Sequence, residues 1–179
     1  MWSTAPVIFT SMPHPLSTAR LTLSPQQPGD APWLAELFTA RGDGHVGIEA
    51  AGVRIETMTR TLASTGIGAL VMRPTDGSPP VGYVALIVGR SSLDQPEIAY
   101  EVPPAAQGRG YTTEAAAALV QAAWATRRSR LWLTTRSWNV ASLRVAAKLG
   151  FTHHHTGTGD EHDVQWLTLH RPPGQGGST

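Results

Sequence analysis

Three groups of residues have types and spacings that suit chemistry. Gln107-Gly108-Arg109-Gly110-Tyr111-Thr112 is a glycine-punctuated turn between a strand-like run and an alanine-rich helix. The first turn of a helix has backbone N–H groups without intrahelical partners and lies at the positive end of the macrodipole, so such a turn suits a phosphate. Gly108 and Gly110 let the backbone approach an anion closely, and Arg109 adds positive charge at the mouth. The same glycines also suit an ordinary strand-to-helix turn, and the feature alone leaves both readings open. Just upstream, Glu97 and Glu101 share one face of a strand, because side chains alternate with period two. Burying two carboxylates together raises at least one pKa, which suits a base; either one can instead pair with an arginine. The third group is Asn139 and Ser142, one turn apart at the start of another helix.

Two better-known phosphate loops do not fit. A nucleoside-triphosphate P-loop needs Gly-Lys-Ser or Gly-Lys-Thr, which is missing. A dinucleotide fingerprint needs a third glycine where Thr113 stands, near the start of the chain, so a nucleotide-binding oxidoreductase is a weak alternative.

The flanking elements place these groups. Pro96 to Val102 reads as a strand stopped by Pro103-Pro104. Thr113 to Thr126 reads as a covered helix, with Glu114 at its start and Arg127 and Arg128 at its end complementing the dipole. Asn139 suits the N-cap of the next helix, in which Leu143, Ala146, Ala147 and Gly150 share a face, Lys148 falls in the last turn, and Gly150 suits the left-handed C′ position.

Taken together, these motifs resemble the GNAT superfamily of acetyl-CoA-dependent N-acetyltransferases. Gln107, Gly108, Arg109 and Gly110 match its Gln/Arg-x-x-Gly-x-Gly/Ala signature, and Asn139, Ser142, Lys148, Gly150 and Phe151 match its second, Asn-initiated helix motif. Thr18-Ala19-Arg20-Leu21-Thr22-Leu23, Glu97-Ile98-Ala99-Tyr100 and Gly110-Tyr111-Thr112-Thr113-Glu114-Ala115 are similar to the ribosomal-protein N-terminal (Rim-type) branch. The likeness runs from about Thr18 to His170. Thr112 departs from the usual Gly or Ala, and Ala146 replaces a tyrosine that protonates the departing thiolate in many members.

The resemblance implies an α+β sandwich, the GNAT fold, with a central mixed but mostly antiparallel sheet of about seven strands and about four helices. It implies acetyl-CoA as cosubstrate and direct transfer to a primary amine. A protein or peptide N-terminal amine is favoured over a small-molecule amine such as an aminoglycoside or polyamine; a non-catalytic acyl-CoA-binding module is a further alternative. The cofactor residues it implies are Val102, whose amide would hold the thioester carbonyl, Gln107, Gly108, Arg109, Gly110, Tyr111 and Thr112 for the pyrophosphate, and Asn139 and Ser142 for the pantetheine arm. The nucleophile must be the neutral amine; an α-amine near pKa 8 needs less help than a lysine near about 10.4. Glu101, with Glu97 second, would take the proton, and Ser142 would serve the thiolate in place of the missing tyrosine. Tyr100 and Trp138 are candidates for the acceptor.

The remaining chain sets bounds. With 179 residues, 41% hydrophobic and 15% charged, it suits one domain over residues 18–171. A net charge of +1 without a basic face argues against nucleic acid. The Arg127-Arg128-Ser129-Arg130 cluster suits a helix end or the 3′-phosphate end of CoA. Cysteine is absent, so there is neither thiol catalysis nor a disulfide. No apolar run is long enough to span a membrane, and the first residues lack a signal-peptide pattern, so a cytoplasmic protein is expected, as a monomer or homodimer.

Residues 1–17 read as a loosely held arm and residues 172–179 as a flexible tail. A first strand at Arg20 to Leu23 precedes a helix in which Asp30 suits the N-cap and Trp33, Leu34, Leu37 and Phe38 form the apolar stripe. A second helix is expected from about Val53 to Ser64, with Ile55, Met58, Thr59 and Leu62 on one side. Between the helices lie Asp43, His45 and Glu49, which suit either an acceptor wall or a solvated loop. Strands at Ala69 to Met72 and Val81 to Val88 join through a turn at Pro74 to Ser78 and form an antiparallel meander with the Glu97 strand. The sheet turns parallel at Arg130 to Thr135, and Phe151 to His155 and Val164 to Leu169 close it.

His153-His154-His155, with Asp160, Glu161, His162 and Asp163 nearby, suits either a metal site or an exposed strand end. Alternation lets only His153 and His155 share a side, and no metal is expected.

Overall fold

The computed structural model describes residues 9–42, 44–158 and 163–173. Its elements are β1 (Leu16–Ser17), β2 (Leu21–Pro25), α1 (Ala31–Thr39), α2 (Ile48–Thr65), β3 (Ala69–Pro74), β4 (Tyr83–Ile87), β5 (Glu97–Glu101), α3 (Tyr111–Ala125), β6 (Arg130–Arg136), α4 (Val140–Leu149), β7 (Thr152–Thr156) and β8 (Val164–His170). All strands join one sheet in the order β1-β2-β3-β4-β5-β6-β8-β7. Every pairing is antiparallel except β5 with β6, where α3 makes the crossover. This is the expected mixed, mostly antiparallel sheet with four helices, and β1 makes it eight strands rather than seven.

Strand alternation divides the core into two layers. Leu21, Leu23, Leu70, Met72, Val84, Leu86, Ile98, Leu131 and Leu133 pack against Ala115, Leu119, Ala123 and Ala146, so α3 and α4 cover this face. The alanines on α3 let the helix lie close to the sheet. On the opposite face Leu34, Phe38, Ala51 and Ile55 of α1 and α2 pack together, with Tyr83 of β4 against them.

Several expectations are corrected. The described part of the amino-terminal arm is packed: β1 pairs with β2, Met12 is 1% exposed, and its N–H donates to the Gly66 carbonyl at 2.8 Å. Met1 to Ile8 and Gly174 to Thr179 lie outside the described residues. Helix α2 starts at Ile48, earlier than Val53, because Gly47 supplies an extended N-cap; Thr59, expected on its inner side, is exposed. Asp30 caps no helical amide. Its carboxylate instead accepts from the Gln27 N–H at 2.8 Å, Trp33 Nε1 at 3.1 Å and Arg73 Nη2 at 2.8 Å, tying α1 to β3. Burial raises the Asp30 pKa, but these bonds outweigh it and hold the carboxyl below the usual carboxylate value.

The end of α3 also differs. Arg127 takes φ +68° past the helix, and Arg128, fully buried, donates from Nε to the Leu93 carbonyl at 2.9 Å and from Nη1 to Thr126 Oγ1 at 2.7 Å. Arg130 donates to Thr168 Oγ1 at 2.8 Å and lies over the Trp132 ring. Arg128 and Arg130 thus have structural partners around the end of α3, while Arg127 is exposed.

At the far edge a bulge between His153 and His155 breaks the expected alternation. His154 and His155 therefore both reach the Trp132 side, with their Nδ1 atoms 2.8 Å apart and His155 stacked on Trp166. Among the described residues no three His, Asp or Glu side chains come together for a metal; Asp160, Glu161 and His162 lie outside them.

Candidate active site

The site arises where β5 and β6 part. The two strands share a single register pair, Glu97 with Trp132, reinforced by the Trp132 N–H donating to the Pro96 carbonyl at 3.0 Å. Past that point they diverge into a cleft of about 710 Å³ between α3 and α4. Its lining brings together Tyr100, Glu101, Val102, Gln107, Gly108, Gly110, Tyr111, Thr112, Asn139 and Ser142. Residues 40 positions apart in sequence thus meet because the sheet opens there.

The glycine turn has the conformation its residues require. Gly108 takes φ +74° and Gly110 φ +81°, the latter as the left-handed N-cap of α3. L side chains disfavour both angles. Arg109 does not line the cleft; its side chain is exposed and its carbonyl accepts from Arg20 Nη1 at 3.0 Å. Arg20 also stacks over the Tyr111 ring at 4.6 Å and donates from Nε to Glu114 Oε2 at 2.7 Å. Thr18 Oγ1 adds a bond to Glu114 Oε1 at 2.6 Å. Burial raises the Glu114 pKa, but the bonds from Thr18 and Arg20 win and lower it. The turn is therefore clamped from the segment before β2, and Arg20 is a positioning residue that sequence reasoning used only as part of a strand.

Opposite the turn, α4 presents the second group. Asn139 Oδ1 accepts the Ser142 N–H at 3.1 Å, the expected cap, which leaves the Asn139 NH₂ group as the part able to donate elsewhere. Ser142 Oγ lies 2.8 Å from the Tyr100 hydroxyl. Tyr100, a candidate for the acceptor, stands beside α4 and lines the larger cleft, because residue 100 alternates to the face opposite the two glutamates. Burial raises the Tyr100 pKa, so the phenol stays protonated at neutral pH.

The glutamates occupy the other face, with Ala99 between them. Glu101 accepts two 2.8 Å bonds from Arg41 Nε, a further close contact from Arg41 Nη2, and a 3.1 Å bond from the Tyr83 hydroxyl. The pairing with an arginine, one of the two readings open for this residue, is thus realised. The bond to Glu101 raises the Arg41 pKa, and burial together with the Glu101 charge pushes Tyr83 up to about 12. Glu97 is 5% exposed and accepts from the Arg90 N–H at 2.9 Å and from Thr134 Oγ1 at 3.3 Å.

A second cavity of about 290 Å³ lies between α1, α2 and the same sheet face. It shares Ile87 and Ala99 with the larger cleft, and Arg41 and Tyr83, the partners of Glu101, stand in its wall. His45, Glu49 and Trp138 line neither space: His45 and Glu49 are exposed, and Trp138 is 72% exposed. Asp43 lies outside the described residues. Arg41 and Tyr83 went unread because nothing local marks them; they reach Glu101 only through tertiary packing.

Comparison with known proteins agrees with this geometry. A family model for the acetyltransferase (GNAT) domain matches residues 20–152. Similar solved structures include a Bordetella pertussis protein assigned to the GnaT acetyltransferase family, 24% identical, with a TM-score of 0.74 over 86% of this chain and 97% of that one. The ribosomal-protein-S5-alanine acetyltransferase of Vibrio fischeri is 15% identical, with a TM-score of 0.72 over 87% and 95%. The microcin C7 self-immunity acetyltransferase MccE, solved with acetyl-CoA and AMP, is 16% identical, with a TM-score of 0.72 over 86% and 93%. No protein of curated function matches the sequence. With the matched domain spanning most of the sheet, the glycine turn and α4, the chain belongs to the GNAT family of acetyltransferases.

Proposed function

We propose that this acetyltransferase moves an acetyl group from acetyl-CoA directly to a primary α-amine, that of a peptide N-terminus first and of a small amino compound second. The observation that carries the reading is the meeting of two cavities at Ala99, with hydroxyl groups on one face of β5 and carboxylates on the other. When bound, acetyl-CoA supplies an activated acyl thioester. The residues present fit it: the Gly108–Gly110 turn and the start of α3 suit its pyrophosphate, and the Asn139 NH₂ group suits the amides of its pantetheine arm.

The chain's own groups divide the proton work. The amide at Val102 stabilises negative charge on the thioester carbonyl. Glu101 removes the proton from the acceptor amine, directly or through one water, and Arg41 and Tyr83 hold its carboxylate in place. Ser142 passes a proton to the leaving sulfur as Tyr100, whose hydroxyl is within hydrogen-bond reach, passes its own to Ser142. Tyr100 is reprotonated from solvent, and Glu101 releases the amine proton to solvent, so no net charge is left on the protein. The chain has no cysteine to carry the acyl group, so both substrates are held together. Because acetyl-CoA is an intracellular metabolite, this reading assigns the reaction to the cytoplasm.

A polyamine or aminoglycoside acceptor is disfavoured, since among the described residues the acceptor-side cavity is lined by Arg41 and Arg54 and by no carboxylate. The test is a thermal shift with acetyl-CoA, NADH and ATP. Saturation at a hundred times Kd stabilises by about 2.7 kcal/mol, a Tm rise of roughly 5 to 10 °C for a chain of this size. A rise with acetyl-CoA alone is expected, followed by CoA release on adding peptide amines. No rise at millimolar acetyl-CoA refutes the reading, and a rise without turnover of any amine identifies a binding module.

A further inference from the structure

We propose that the smaller cavity receives a bulky apolar side chain borne on the carbon next to the acceptor amine, so that the enzyme selects α-amines of aromatic or large aliphatic residues. The inference rests on the acetyl-transfer reading above and narrows its acceptor.

The cavity is placed for that task. Ala99 lines both spaces and lies between Glu97 and Glu101 on the same face of β5, so a group filling the cavity emerges beside the carboxylates. Its volume comes from a row of small residues. Ala69 pairs with Ala85, and Ala85 pairs with Ala99, which sets three alanines side by side across β3, β4 and β5 at one level. On the other face of the same strands stand Leu70, Val84, Leu86 and Ile98, all close-packed. Helices α1 and α2 roof the alanine floor with Leu34, Phe38, Ile55 and Met58. About 290 Å³ of mostly apolar space is right for one large side chain and small for a polycyclic or oligosaccharide acceptor.

The charges at the cavity define the rest of the acceptor. The Phe38 ring lies between two guanidinium groups, Arg41 at 4.5 Å and Arg54 at 4.7 Å from its centroid. Arg41 is engaged by Glu101, so a second ammonium group on the acceptor would meet chiefly the charge of Arg54. A carbonyl or carboxylate on the α-carbon would be welcome there, which is the chemistry of an amino-acid unit, whether free or at the head of a peptide.

The experiment measures kcat/KM by CoA release for glycinamide, leucinamide, phenylalaninamide and lysinamide on the intact protein, with acetyl-CoA binding followed separately by thermal shift. Leucinamide and phenylalaninamide are expected to exceed glycinamide by about tenfold to a hundredfold, as burial of one large apolar group gives. Lysinamide should fall well below leucinamide. Free phenylalanine and a phenylalanine-led tripeptide, run alongside, separate the two sources of the same chemistry. In Ala85→Leu, which fills the floor, the apolar preference should drop at least tenfold while acetyl-CoA still raises Tm. Equal rates for glycinamide and phenylalaninamide, no turnover of any amide, or a preference that survives Ala85→Leu in a variant that still binds acetyl-CoA, overturns the proposal. A wild-type protein that acetyl-CoA does not stabilise overturns the reading beneath it as well.

Discussion

The two faces of β5 are built by different means. On the α3 and α4 face, the cleft is shaped by main chain: two left-handed glycines, the first turn of α3, and a capped α4 whose Asn139 and Ser142 lie three residues apart. On the α1 and α2 face everything depends on side chains from distant segments, with Arg41 and Tyr83 converging on Glu101 from separations of 60 and 18 residues. A backbone site can keep one ligand through much sequence change, whereas a side-chain site can be retuned one residue at a time. On the proposed reading, the difference lets an acyl donor held by main chain and an acceptor chosen by side chains share one strand.

The sharpest way to break this division is at Glu101. In Glu101→Gln, kcat/KM for a good amine should fall by about 10² to 10⁴-fold, while acetyl-CoA raises Tm as in the wild type. A fall of less than threefold would move the base to Glu97. On the other face, Ser142→Ala and Tyr100→Phe should each slow turnover by about tenfold at saturating amine. If the two hydroxyls act in series, the double variant should be little worse than either single one, which a double-mutant cycle reads directly.

Gly110→Ala tests the claim that the donor side is a backbone device. A Cβ at φ +81° is strained and would stand 3.4 Å from Arg20 Nη2. Its cost of about 1–2 kcal/mol should lower Tm by a few degrees and weaken acetyl-CoA, with amine selectivity unchanged. Equal damage to amine selectivity would blur the two faces into one.

The smallest effect compares a carboxylate on each side. Asp30 and Glu114 both have folded pKa values below their ordinary ones, so each contributes stability that is present above the unfolded pKa and lost as pH falls through the folded one. Tm should therefore decline on acidification below about pH 4.5. Asp30→Asn, which removes the α1 to β3 tie, should flatten that decline more than Glu114→Gln, because Glu114 is the more solvated of the two. A Tm that stays level down to pH 3 would contradict both assignments.

Legibility follows the same line. The glycine turn, Asn139 as a cap and Gly150 as a C′ residue are local devices whose partners are within a turn or two, so the sequence displays them. The strand alternation that separates Glu101 from Tyr100 is equally readable, and it sets Tyr100 on the side of α4. Arg20, Arg41 and Tyr83 were not readable, since their roles depend on pairings across 94, 60 and 18 residues. The alanine row was hidden for the same reason: three isolated alanines become a floor only once strand register is known. Met12 reads as part of a proline-rich arm, and only its place in the core cluster with Leu62 and Ile67 reveals a core residue.

That last contact bears on the order in which the molecule assembles. The segment before β2 is held at the Gly66 carbonyl at the end of α2 and at Glu114 in α3. Its bonds to Glu114 close separations of 96 and 94 residues, so they form later and at higher loop-closure cost than the local pairing of β1 with β2. Interactions made late chiefly slow unfolding. Met12 and Thr18 thus act as a latch on an already formed body, and loosening them should shorten the lifetime of the folded state far more than it delays folding.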